Sequence, residues 1–165
     1  QTCALPILLT KSAIEGNKMR FLKLPFIYWL LLNCIPFIGF ELHSGNIKPG
    51  VFFYLGALTI ITSGIWLFFC LYFFIKHNTS PTPHQTPRQL VTTGPYKISR
   101  NPMYLGFLDI SIGLFFIFGN WGFLGAALAF YFITDRYTIV QEEKILSERF
   151  PQAWRQYCRH VRRWI

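Results

Sequence analysis

The chain has 165 residues, of which 52% are hydrophobic and 19% aromatic but only 14% charged, with a mean hydropathy of +0.33. A soluble domain carries about 25% charged residues, so the deficit excludes an ordinary soluble domain and points to one membrane domain. The formal charge of +9 is crowded towards the end, at Arg149, Arg155, Arg159, Arg162 and Arg163, which suits anionic lipid headgroups; no nucleic-acid motif accompanies it.

Taken in chain order, the opening QTCALPI reads as translated adapter sequence, and Met19 as the start of the native chain. Residues 1–18 are therefore set apart as a leader, and residues 19–165 as one domain. A first apolar segment covers about 22–40, interrupted by Asn33 and Pro36. Val51–Ile75 carries no charge; at 1.5 Å per residue it is about 37 Å long, enough to cross a hydrocarbon core of about 30 Å. The loop His77–Arg88, with Pro81, Pro83 and Pro87, is too rich in proline for a helix. Two further apolar segments, about 104–118 and 121–137, are separated by Gly119–Asn120 and read as a tight helical hairpin. Ile139–Val161 mixes Val140, Ile145, Phe150, Trp154 and Tyr157 with charges at helical spacing. It reads as a basic amphipathic helix over about 139–163 lying on the membrane surface, with a kink or restart at Pro151.

The expected fold is thus an all-α integral membrane protein of about four transmembrane helices plus a C-terminal interfacial helix. Lys18, Arg20 and Lys23, then Lys76, Arg88, Lys97 and Arg100, then the basic tail all fall on one side. The positive-inside rule therefore puts both termini in the cytoplasm, with a bacterial inner membrane as the expected location. The four cysteines have no CxxC spacing and the four histidines are scattered, so neither a disulfide framework nor a metal site is expected.

Two stretches carry chemistry. The first is GPYKISRNPMYLG, Gly94–Gly106; the second is the pair Glu142–Glu143 in QEEKILSERFPQAWRQY. Each has a plain structural reading: Gly94-Pro95 as a turn, Asn101-Pro102 as a helix start, the glutamates as solvated charges. The topology nevertheless returns Asp135, Arg136, Glu142 and Glu143 to the cytoplasmic edge that holds Tyr96, Arg100, Asn101 and Tyr104. Aromatic rings, an amide and carboxylates at one membrane edge suit a cationic, hydroxyl-bearing ligand. Asp109 is a separate acid within the third apolar segment, and a functional candidate on that ground.

LVTTGPYKISRNPMYLG, followed after a hairpin by EEKILSERFPQAWRQYCRHVRRW, resembles the isoprenylcysteine carboxyl methyltransferase family and the related phospholipid methyltransferase-like membrane enzymes. The resemblance covers about Arg88–Trp164. It implies S-adenosylmethionine as methyl donor and a lipophilic acceptor, with membrane lipids as surroundings and no metal or nucleic acid. Gln89, Leu90 and Val91 would border the cofactor through backbone groups, and Tyr96 would line it. Arg100, Asn101, Pro102, Met103 and Tyr104 fall on the stretch that closes over it, and Glu142 and Glu143 on the glutamate pair. Asn101 and Arg136 are the candidates for contact with the reacting groups. Three departures stand out. Asn101 occupies a position that is histidine in some relatives and cannot titrate near neutral pH. Thr138 occupies the place of the arginine that meets a substrate carboxylate, with Arg136 nearest. Pro151 and Arg162 replace a glycine and a proline. The alternatives are a phospholipid or amine N-methyltransferase of the same architecture and a small non-enzymatic membrane scaffold. A sterol reductase would need a longer chain.

Overall fold

A computed structural model describes residues 25–43, 50–77 and 89–165. The leader, the Ser44–Lys48 loop and the proline-rich loop after His77 lie outside them. Every regular element among the described residues is helical. Helix α1 is Pro25–His43, α2 is Val51–Lys76 and α3 is Pro102–Phe118. Helix α4 is Gly122–Ile133, α5 is Ile139–Arg149 and α6 is Pro151–His160. A single tight turn at Gly94–Lys97 precedes α3.

Length and composition make two of these helices able to cross a membrane: Val51–Lys76, and the composite Gly122–Arg149. Pro25–Gly39 and Pro102–Phe118 are apolar but shorter; the latter runs only about 25 Å. The side chains follow membrane logic. Phe52, Tyr54, Leu58, Ile61, Ile65 and Phe68 of α2 are exposed on the outer face, as suits a helix that meets lipid. The interior holds aromatic rings and small polar groups. Trp29 donates its Nε1 hydrogen to the Phe107 carbonyl and to Ser111 Oγ, both at 2.9 Å. Tyr28 meets Thr134 Oγ1 at 2.7 Å and Thr138 Oγ1 at 3.2 Å. These bonds satisfy groups that lipid could not.

The fourth apolar segment differs from the expectation. It does not end near residue 137 and hand over to a separate surface helix. Gly122 to Arg149 is one continuous rod, with a wide π-helical turn at Thr134–Thr138. The break comes at Phe150 (φ −128°, ψ 57°), where Pro151 starts α6. Proline is suited to that first position because its missing N–H is not needed there. Helix α6 is amphipathic, as its sequence says, but its apolar face turns into the protein. Trp154, Tyr157 and Val161 are buried against Leu90, Leu146 and Cys158, while Arg155, Arg159 and Arg162 are exposed.

The contact between α2 and α3 depends on glycine. A Cβ at Gly56 would lie 2.6 Å from the Gly113 carbonyl oxygen, a backbone atom that cannot step aside. Gly56→Ala should therefore cost about 1–3 kcal/mol as an overpacked contact. Gly64, on the same helix with nothing within 4 Å of its Cβ position, should accept alanine with no loss, because alanine is the better helix former. Thermal melts of the two variants in detergent check the contrast.

Candidate functional site

The site is assembled at the end of the hairpin, where α3 begins and α5 passes. The Gly94–Lys97 turn sets its floor. Gly94 has φ +62°, and a Cβ there would meet the Phe73 ring at 2.4 Å, so only glycine serves. The turn buries Tyr96, whose ring stands edge-on to Phe74 at 5.2 Å. Tyr157 holds the turn from the other side, donating its hydroxyl hydrogen to the Tyr96 carbonyl at 2.6 Å.

The first motif then meets the second. Tyr104, one turn into α3, donates its hydroxyl hydrogen to Glu142 Oε1 at 2.7 Å. Arg100 Nη2 lies 3.2 Å from Glu143 Oε1. Its other nitrogen points at Cys158 Sγ, and its plane covers the Trp154 ring at 5.4 Å. The tail closes the arrangement. Arg163 grips Glu143 Oε2 at 2.6 Å and reaches Asp135 Oδ1 at 3.3 Å; its hydrogen bonds to Glu143 raise its pKa above the ordinary arginine value. Trp164 Nε1 donates to the same Asp135 oxygen at 2.9 Å. Asp135 and Glu143 thus have guanidinium partners. Glu142, partly buried, has no cation within ion-pair distance among the described residues; Tyr104 alone holds it.

Three buried polar atoms here have no protein partner: the Tyr96 hydroxyl, Thr93 Oγ1 and Arg100 Nε. Burial pushes the Tyr96 phenol well above its usual range, with Cys70, Tyr157 and Glu142 adding to it. The hydroxyl therefore stays protonated and is an unused donor. Buried polar groups left unpaired are costly, and several together at one site are what a polar ligand would satisfy.

The sequence-derived candidates fall into three groups. Tyr104, Arg100, Glu142 and Glu143 converge. Asn101, Pro102 and Val91 are buried and Leu90 and Met103 half-buried beside them; the Asn101 amide donates to the Arg163 carbonyl at 3.0 Å. Arg136 and Gln89 are exposed. Arg136 touches Asp135 from the solvent side at 3.9 Å and does not join the converging cluster. Thr138, at the place of the expected arginine, is buried with its hydroxyl on Tyr28. Sequence reasoning did not single out Ser99, Tyr157, Arg163 or Trp164. Ser99 and Tyr157 lie within the two quoted stretches, and the signal for Arg163 and Trp164 was the RRW ending, which read as part of a basic surface.

Residues 40–153 match the family profile described as phospholipid methyltransferase. The chain belongs to that family. Neither a curated protein nor a solved structure matches it. The phospholipid methyltransferase match takes in both motifs and the Tyr104–Glu142 contact, and it ends before Trp154 and the tail. Family membership makes the chain a methyltransferase for a lipid-like acceptor, in keeping with its membrane-compatible helices.

Tyr157→Phe tests how firmly the turn is held. It leaves the buried Tyr96 carbonyl without that donor, so stability should fall by about 1 kcal/mol, read as an earlier thermal transition in detergent.

Proposed function

We propose that the protein transfers a methyl group from S-adenosylmethionine to a lipophilic acceptor at the cytoplasmic membrane face. All four apolar helices then cross the bilayer, and both termini are cytoplasmic. The observation that carries this reading is the Tyr104–Glu142 hydrogen bond. It joins the two motifs and leaves a carboxylate with no cation of its own beside buried tyrosines. The donor set fits the cofactor: a free carboxylate for positive charge, aromatic rings for cation–π attraction, and unpaired donors at Tyr96 and Arg100 for its polar groups.

When bound, S-adenosylmethionine supplies a methyl group on a positively charged sulfur, reactive enough that the protein needs no nucleophile or metal of its own. Glu142 would provide the counter-charge, held in one direction by Tyr104. Tyr96 and Asn101 would line the same space, Tyr96 with a hydroxyl that stays protonated. Asp135 and Glu143, already paired, fix the walls. The buried aromatic surroundings exclude water, which favours orientation over hydrolysis.

The acceptor follows from the charges. Arg100 and Arg163 are both committed to carboxylates, Arg136 is exposed and Thr138 is engaged with Tyr28. No free guanidinium among the described residues faces the site to receive a substrate carboxylate, so an amine-bearing lipid is favoured over a prenylated cysteine. Methyl transfer to a prenylcysteine analogue should be at background in an assay of the purified protein; robust ester formation that survives Arg136→Ala would contradict this choice. For the topology, reporter fusions in the Ser44–Lys48 loop should read as external and fusions after Ile165 as internal.

The cofactor assignment is tested at Glu142. A hydrogen bond to a charged group is worth about 1.5–3 kcal/mol, so Glu142→Gln should weaken S-adenosylmethionine binding about 10- to 100-fold in calorimetric titration without acceptor. Glu148, exposed and 4.0 Å from Lys144 on the same helix, is the control, because a surface pair contributes little. Equal affinity in wild type and both variants would leave Glu142 without a role in the site.

A further inference from the structure

We propose that Arg163 is a positioning residue that locks the two halves of the site together, so that Glu142 alone presents an uncompensated carboxylate. The proposal rests on the reading of Glu142 as the cofactor's counter-charge. It concerns a residue outside the stretch that matches the family.

One residue reaches both motifs. The guanidinium takes Glu143 in a two-pronged grip, Nη2 to Oε2 at 2.6 Å and Nε to Oε1 at 3.3 Å, the geometry in which arginine binds carboxylate most firmly. Its third nitrogen donates to Asp135 at 3.3 Å. The Arg163 carbonyl meanwhile accepts from Asn101 Nδ2 at 3.0 Å and from Ser99 Oγ at 3.2 Å. The backbone thus holds the first motif and the side chain holds the second. The neighbouring residues keep the segment in place: the Arg100 N–H donates to the Arg162 carbonyl at 3.0 Å, Val161 is buried beside Trp154 and Tyr157, and Trp164 packs on Tyr131 at 4.9 Å. Arg162, next in sequence, is exposed.

Two adjacent carboxylates at 142 and 143 repel each other. Arg163 and Arg100 pair with Glu143 without touching Glu142. Loss of Arg163 leaves Asp135 with Trp164 and the solvent-side Arg136, and, among the described residues, leaves the Ser99–Asn101 segment joined to α5 only through Arg100 and Glu143. The two ways Arg163 could act have opposite signs. If only its charge mattered, removing a cation would strengthen binding of a positively charged ligand. If it positions Glu142, removal weakens that binding.

The experiment uses the full chain in detergent, with Arg163→Gln, Arg163→Lys and Arg162→Gln. S-adenosylmethionine is titrated by calorimetry in the absence of acceptor, and amide hydrogen exchange is followed without ligand over 99–104 and 139–146. Arg163→Gln should weaken binding about tenfold or more and speed exchange in both segments. Arg163→Lys, which keeps the charge but not the fork, should fall between it and wild type. Arg162→Gln should match wild type. Binding by Arg163→Gln as tight as wild type, or faster exchange confined to the tail, overturns the proposal; should Arg163→Gln fail to fold, full wild-type behaviour of Arg163→Lys overturns it instead. If wild type itself does not bind, the cofactor reading falls separately, and the exchange data alone decide: loosening of both segments sustains the tie and loosening of the tail only ends it.

Discussion

A carboxylate at the end of an apolar helix, out of bulk water, must find a donor or a charge to remain there. Glu142 and Glu143 answer that constraint differently, and much of the structure follows from how. Glu143 takes two guanidiniums, one from each end of the polar region. Glu142 takes a single phenol. The Gly94–Lys97 turn, the start of α3 and the tail are arranged around these two acids. Arg100 just after the turn, Tyr104 at the start of α3 and Arg163 in the tail each contribute one partner, and none could move far without leaving a buried polar group unpaired.

The arrangement also links the membrane helices to the chemistry. Tyr28 on α1 bonds to Thr134 and Thr138, which lie about two turns and one turn before Glu142 on the same rod. Trp29 ties α1 to α3 near Phe107 and Ser111, one to two turns beyond Tyr104. The two residues that form the central contact are thus each braced from inside the apolar bundle by α1. A site built this way owes its geometry to helix packing rather than to loops, which suits a reaction in which the protein mainly orients and dries.

Much of this was legible in the sequence. The uncharged run at 51–75 could only be a long apolar helix, and Pro102 and Gly119 marked the ends of α3. The meeting of Tyr104 with Glu142 followed from a tight hairpin at Gly119–Asn120 that returns the chain to its starting edge. Other features left no local trace. A π turn at Thr134–Thr138 has no composition of its own, since it depends on how Tyr28 and the neighbouring helices receive the two threonines. The inward-facing apolar stripe of α6 looks, residue by residue, like a membrane-surface stripe; only the presence of Leu90 and Leu146 opposite it decides between protein and lipid. Arg163 sits among five clustered arginines, and nothing in the one-dimensional pattern separates the one that grips two acids from those that face outward.

The π turn has a further consequence. An α-helix advances about 100° per residue, and a wide turn inserts one extra residue into that count. The face on which Glu142 stands is therefore set by an insertion of phase. Substitutions on that face alter what it carries; a change in chain length between Ile133 and Ile139 would re-aim it, and would rotate Glu142, Glu143 and the tail's anchor together. In this family member, the direction in which α5 presents its acids is encoded in a count of residues.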